Sequence, residues 1–289
     1  MFPEYHPAVN FLYFALVIVF TAVFQHPVML GISLFSVLAY TAAFAGGRAL
    51  FKKIRGFLPL ALLAALVNVL FSHRGATILA YFPSGNPLTL ESLAFGALSA
   101  AMLTGMLLWF SCCSRVMDAD KFVLLFGKAA PQLGLLLSMT LRFVPLFIER
   151  FRAVSEAQRA AGRTEEAGTF SSRVRAALTE LSAVLTWSLE AAGDTADSMH
   201  SRGYGLAGRT AFSPCRWRAR DRAALLWLFL CGGSVLVLWA AGGAGWHCYP
   251  TLSGHLSPAA ALFYAGLCLT PVFLNGWEGR AWKRSALRI

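Results

Sequence analysis

The chain has 289 residues, of which 57% are hydrophobic and only 13% charged. A soluble globular domain carries about 25% charged residues, so this composition excludes an ordinary cytosolic enzyme and a disordered chain. The 25 Lys+Arg against 14 Asp+Glu, a formal charge of +11, leave two readings, nucleic-acid binding or the positive-inside bias of a membrane protein.

Apolar runs at 9–24, 28–44, 57–71 and 93–113 predict four membrane spans in the first half, and runs at 223–241 and 259–274 predict two more near the end. Several are shorter than the ~20 residues that cross a ~30 Å hydrocarbon core untilted, so their ends use interfacial residues or the bilayer thins locally. A cleavable signal peptide is a poor reading of the first run, because Met1–His6 has no Lys or Arg. Arg48, Lys52, Lys53 and Arg55 fall between the second and third runs, and Arg115, Lys121 and Lys128 follow the fourth. Arg280, Lys283, Arg284 and Arg288 follow the last. The links at 25–27 and 242–256 have no Lys or Arg, and 72–92 has only Arg74. One topology places every basic segment on the same side: six spans with both termini cytoplasmic. The charge is then a topology signal, and nucleic acid drops out as a partner.

The stretch 129–147 is apolar, yet Arg142 lies inside it and Pro145 interrupts it. A charge in hydrocarbon is costly, and a span here would carry the Arg-rich 150–222 region outside. The expectation is therefore a helix at the inner interface or against other protein. Two further helical patterns follow. In 149–163, Arg152, Glu156, Arg159 and Arg163 recur three or four apart, as on an exposed helix face. In 173–202, Val174, Leu178, Leu181, Leu185, Leu189, Ala192, Ala196 and Met199 form an apolar stripe, predicting an amphipathic helix of some thirty residues and ~45 Å. A link around Gly168 separates the two, and Gly203-Tyr204-Gly205 stops the second. The organisation read from these patterns is 1–118 (four spans), 119–221 (cytoplasmic or interfacial coupling helices) and 222–289 (two spans and a basic tail). The fold class is all-α, a polytopic membrane protein of about six transmembrane helices, with the helical coupling region between spans four and five.

Chemistry-bearing motifs are missing. No G-x-x-x-x-G-K-[ST], H-E-x-x-H or G-x-S-x-G occurs, and the six cysteines have no ligand spacing. No catalytic residue, cofactor or metal site is assigned. The span interiors lack the Asp, Glu and His that a secondary transporter or an intramembrane enzyme uses; Asn68 reads as a helix–helix hydrogen bond, and His73, His247 and His255 read as loop residues. A polytopic chain with no energy source of its own and a helical platform fits a protein driven by a docked ATPase. A membrane assembly scaffold without a transport role is the other reading of such a platform. Both helices of the platform end in small residues, Arg and Gly: Ala157-Gln158-Arg159-Ala160-Ala161-Gly162 and Met199-His200-Ser201-Arg202-Gly203. An Arg at such an end offers a planar fork of donors to a partner.

Four passages resemble the transmembrane T component of energy-coupling factor (ECF) transporters, the ABC-type importers of vitamins and metal ions. They are His6-Pro7-Ala8-Val9-Asn10, the loop Ser72-His73-Arg74-Gly75 with Ser84 to Glu91, Ser138-Met139-Thr140-Leu141-Arg142-Phe143-Val144-Pro145-Leu146, and Ser201-Arg202-Gly203-Tyr204-Gly205. The third is similar to the family's LTLRFIP run and the last to the second of its two Ala-Arg-Gly signatures; together they cover roughly residues 6–210. The resemblance implies a bacterial cell-membrane protein that hydrolyses no ATP itself. It implies two ABC-type ATPase subunits docked on its cytoplasmic side and a small membrane-embedded substrate-binding S component that reorients to release its ligand. Carried over, Ser201, Arg202 and Gly203 form the second ATPase-contacting end. The first falls on Ala160, Ala161 and Gly162, where Ala161 occupies the position of the family's Arg. Arg159 stands two residues before it and Arg163 two after; either takes the role, or this end meets its ATPase differently. The final run at 259–274 is one helix more than the resemblance provides.

Overall fold

The computed structural model describes residues 4–72, 75–81, 87–127, 131–162, 170–206, 217–248 and 253–286. His73, Arg74, Ser84 to Asn86, Lys128, Arg163, Gly168 and Arg288, named above, lie outside them. The chain divides into two units, one of Met1–Asp118 with Cys215–Ile289 and the other of Ala119–Pro214.

The first unit is built from helices α1 (Pro7–Val23), α2 (Pro27–Ala45), α3 (Gly47–Phe71), α4 (Leu90–Val116), α8 (Ala219–Ala240) and α9 (Pro258–Ala286). Two antiparallel hairpins join them: β1 (Ile78–Tyr81) with β2 (Pro87–Thr89) between α3 and α4, and β3 (Ala244–His247) with β4 (Ser253–Leu256) between α8 and α9. Neither hairpin is legible as a hydrophobic alternation. Four residues pairing with three or four others carry too short a pattern.

Helix starts follow a repeated rule. His6 and His26 each precede a proline, and each cap their helix through Nδ1, which accepts the N–H of Ala8 at 3.2 Å and of Val28 at 3.3 Å. Proline suits the first helical position because that N–H has no intrahelical partner anyway. Burial holds the His26 imidazole below its usual range, which keeps it in the neutral form that can accept. The backbone N–H groups of His6 and Arg218 both donate to the Asp221 carboxylate, tying the N-terminal segment to the start of α8. The basic residues Arg48 to Arg55 form no separate loop: α3 begins at Gly47 and they occupy its first turns.

The core of this unit lies where Val9, Tyr13, Val17 and Phe20 of α1 meet Val37 and Tyr40 of α2, Trp109 and Cys112 of α4, Leu228 and Cys231 of α8, and Tyr264 and Leu267 of α9. A buried hydrogen-bonded chain runs through it. Trp109 Nε1 donates to Ser33 Oγ at 3.0 Å, Ser33 and Thr21 hydroxyls meet at 2.8 Å, and Thr21 reaches the Tyr264 hydroxyl at 3.3 Å. Tyr13 donates separately to the Cys268 carbonyl at 3.0 Å. In hydrocarbon, small residues and such bonds hold helices together, since apolar side chains gain little by leaving lipid. Gly96 shows the small-residue part: a Cβ added there would stand 3.0 Å from the Ala65 carbonyl oxygen, so α4 lies close against α3. Asn68 does not bridge helices. Its amide donates to Ala64 O one turn back in its own helix; an isolated side-chain amide in an apolar helix takes the nearest carbonyl.

Facing outward are Phe35 at 69% exposure and Leu262 at 73%, with many like them. Side chains of this kind around a buried core are the surface of a protein solvated by lipid. Among the described residues six helices are long and apolar enough to cross a membrane: α2, α3, α4, α6 (Pro131–Ala160), α8 and α9. The membership differs from the six runs read in sequence. α1 has 17 residues and falls just short, at ~26 Å for 1.5 Å per residue. The stretch around 129–147 is not a separate interfacial element. It is continuous with the charged helix after it, because α6 runs unbroken through Pro145. Proline costs a helix one backbone bond, which membrane helices commonly tolerate. Arg142 lies inside this helix. The chain is an all-α polytopic membrane protein.

Candidate functional site

The second unit holds α5 (Ala119–Phe126), α6 and α7 (Phe170–Ser201). α5 turns onto α6 through a glycine contact: a Cβ added to Gly134 would stand 2.6 Å from the Cα of Gly127. α6 and α7 pack through a line on α7 of Ser172, Ala176, Glu180, Val184, Ala191, Thr195 and Met199, buried or half-buried at a spacing of four with one larger step. Trp187 joins it, edge-on to Phe147 and under the Arg150 guanidinium at 4.9 Å.

The leucine stripe read in sequence is therefore not the packing face. Leu178, Leu181, Leu185 and Leu189 are exposed, Leu189 at 74%. With Phe147, Ile148 and Phe151 of α6, Leu181 and Leu185 line an open apolar groove of about 370 Å³. Small residues (Ala176, Ala191, Thr195) let α6 approach, and the large ones are left for something else.

Both helices end on a glycine in the left-handed conformation. The Gly203 N–H donates to His200 O at 3.0 Å and the Tyr204 N–H to Met199 O at 3.0 Å, with Gly203 at φ 80°. These are the two bonds of a Schellman cap, with glycine in the left-handed conformation just past the helix. At the other end the Gly162 N–H donates to Arg159 O at 3.0 Å, and Gly162 has φ 67°. The caps align residue by residue: Gly162 with Gly203, Ala161 with Arg202, Ala160 with Ser201, and Arg159 with His200. All eight are exposed except Gly203, which is half-buried. Arg202 thus stands at the cap position, beside free carbonyls whose partial negative charge favours a cation. Arg159 aligns with His200 and not with Arg202, and two residues are about 200° round a helix of 3.6 residues per turn.

Glu180 reads in sequence as one of the charges off the apolar stripe, with Glu190, Asp194 and Asp197, and the structure buries it. It is 8% exposed, and it lines a polar groove of about 400 Å³ with Gln158, Ser171, Ser172, Arg175, Ala176 and Thr179. Ser155 Oγ meets its Oε1 at 3.4 Å. Its place in the packing line is readable from spacing, but a carboxylate among apolar partners looks in sequence like an outward-facing charge.

The energy-coupling factor transporter transmembrane protein EcfT of Exiguobacterium sibiricum is 28% identical over 207 residues, 68% of this chain and 77% of that protein. EcfT of Streptococcus equi is 26% identical over 205 residues, 71% of this chain and 69% of that protein. EcfT of Listeria innocua is 35% identical over a shorter stretch of 109 residues, 37% of this chain and 40% of that protein. The sequence profile of the CbiQ family, described as cobalt transport protein, matches residues 2–212, from before α1 to beyond the cap of α7. The chain belongs to the CbiQ family of cobalt transport proteins.

Proposed function

We propose that this chain is the transmembrane T component of an ECF-type importer. It carries the motion of two ATPase subunits to a small membrane-embedded S component, which takes up a vitamin or a metal ion. The relatives are named as transmembrane proteins of such transporters, and the family description points to cobalt. The observation that carries the coupling role is the pair of matched glycine caps at Gly162 and Gly203. They give the second unit two like ends, as two like ATPase subunits require. ATP hydrolysis lies in the partners, and this chain supplies a two-state linkage that ATP binding biases. The exposed leucine stripe of α7 and the groove beside it are apolar surface of the kind that partner chains cover. The second unit and both termini are cytoplasmic in a bacterial cell membrane, with the hairpins β1–β2 and β3–β4 outside, as the basic residues require.

Co-purification tests this. The tagged chain is expressed with the candidate ATPase pair, and wild type is compared with Arg202→Glu in mild detergent. An anchoring Arg at an interface is worth about 2 kcal/mol or more, roughly thirtyfold in affinity, so the variant should lose most of the bound ATPase and uptake should stop. If ATPases fail to bind even the wild type, the coupling reading is wrong. An assembly scaffold would tolerate the substitution.

A further inference from the structure

We infer that the Glu180 groove receives a basic side chain of the ATPase subunit docked at the Gly162 end, so that this end is anchored by an acceptor where the Gly203 end is anchored by a donor. The inference rests on the coupling function proposed above.

Burying a carboxylate costs free energy unless it is paired and hydrogen-bonded. Glu180 is 8% exposed. Its hydrogen bond with Ser155, at 3.4 Å, is long, and among the described residues no Lys, Arg or His forms an ion pair with it. An ionised carboxyl group has about four acceptor sites, and one hydroxyl at this distance leaves most of them open. The group is nevertheless not sealed in. It lines a groove of about 400 Å³ whose other walls are Gln158, Ser172 and Thr179, all able to hydrogen-bond. A guanidinium or ammonium entering there would meet a desolvated carboxylate with polar groups around it. That geometry makes a charged pair strong and directional.

The groove also lies in the right place. Gln158 on its wall is three residues from Ala161, less than one helical turn from the cap. A partner seated on Gly162 therefore reaches the groove. This accounts for Ala161. The cap position that holds Arg202 in α7 holds a methyl group in α6, and the specific polar contact moves to Glu180.

The test measures affinity of the purified chain, in detergent, for the purified candidate ATPase pair. Wild type, Glu180→Gln, Ser155→Ala and Arg202→Glu are compared over a salt series. Truncating one member of a buried charge pair typically weakens binding by roughly thirtyfold or more. Glu180→Gln should do so, with a shallower salt dependence, an unchanged melting temperature and an uncharged near-isostere in place. Ser155→Ala should bind within about twofold of wild type, since its weak bond is not the reason for the pair. An unchanged affinity for Glu180→Gln overturns the inference while Arg202→Glu can still support the coupling function. Equal losses in Glu180→Gln and Ser155→Ala with a lowered melting temperature also overturn it, and make Glu180 an internal strut. If the wild type binds no ATPase, the coupling function falls and this inference with it.

Discussion

Gly203 sets the direction in which α7 releases the chain. Its φ of 80° lies where an L-residue crowds its own carbonyl, at a cost of about 1–2 kcal/mol. A Cβ there would also stand 3.1 Å from Leu206 Cδ1. Gly203→Ala should therefore fray the cap and misdirect Arg202 without unfolding the membrane unit. The expected outcome is weaker ATPase retention with the charge of Arg202 intact and a nearly unchanged melting temperature in detergent. Full retention would show that the cap's geometry is not what presents Arg202. These helix ends were legible in sequence because glycine, small residues and Arg make a local signal. The glycine caps set Ala161 level with Arg202, a correspondence that the two short sequences alone suggest but do not fix. Glu180 was not legible, since its meaning depends on which face of α7 meets α6, and that face proved to be the small one.

At the scale of elements, apolar runs found five of the six described helices long and apolar enough to cross lipid, missing α6, and did not show how they are joined. Every side of a lipid-solvated helix is apolar, so the pattern does not mark the core face. The four hydroxyl and indole groups that link α1, α2, α4 and α9 are scattered through the sequence as Thr21, Ser33, Trp109 and Tyr264. No spacing rule connects them. Ser33 is the hinge of this chain, with Trp109 Nε1 on one side and the Thr21 hydroxyl on the other. Removing its oxygen leaves the indole N–H without that acceptor in a fully buried site. Ser33→Ala should destabilise the unit by about 1–3 kcal/mol, read as a lower melting temperature in detergent. Trp109→Phe alone should cost less polar stability, because it removes the donor along with the bond. If Ser33→Ala melts with wild type, the hydroxyl chain contributes nothing and packing alone holds these helices. The merging of two expected segments into α6 has a similar origin. Pro145 and the change from apolar to charged composition both suggest a break, yet a backbone lacking one hydrogen bond can still propagate a helix when the turns on either side are intact.

At the scale of the molecule, the family match ends at residue 212, so α8 and α9 lie beyond it. Sequence gave α9 no role. The structure makes it part of the first unit's interior: Tyr264, Leu267 and Cys268 are fully buried against α1 and α2 residues. Tyr13 of α1 spends its hydroxyl on the Cys268 carbonyl, and Thr21 meets Tyr264. An accessory helix added at the rim of a finished bundle would leave α1 complete without it. Here the buried face of α1 is polar at two levels, and α9 supplies the partner at both. A chain ending at residue 257 should therefore leave the Tyr13 hydroxyl without its acceptor, which costs free energy in hydrocarbon, and strip Thr21 of its α9 contact while it keeps Val17 O and Ser33. It should accumulate poorly in membranes or melt well below the full chain, whatever its second unit does. Tyr264→Phe, which keeps the ring and loses one hydroxyl, should fall between the two, by about 1 kcal/mol for one interhelical bond. If the truncated chain accumulates and melts like the full one, α9 is dispensable to the fold and its place beyond the matched region marks a separate role. If it fails while Tyr264→Phe is mild, α9 is a structural member of the first unit, and the fold of this chain needs more than the segment it shares with its family.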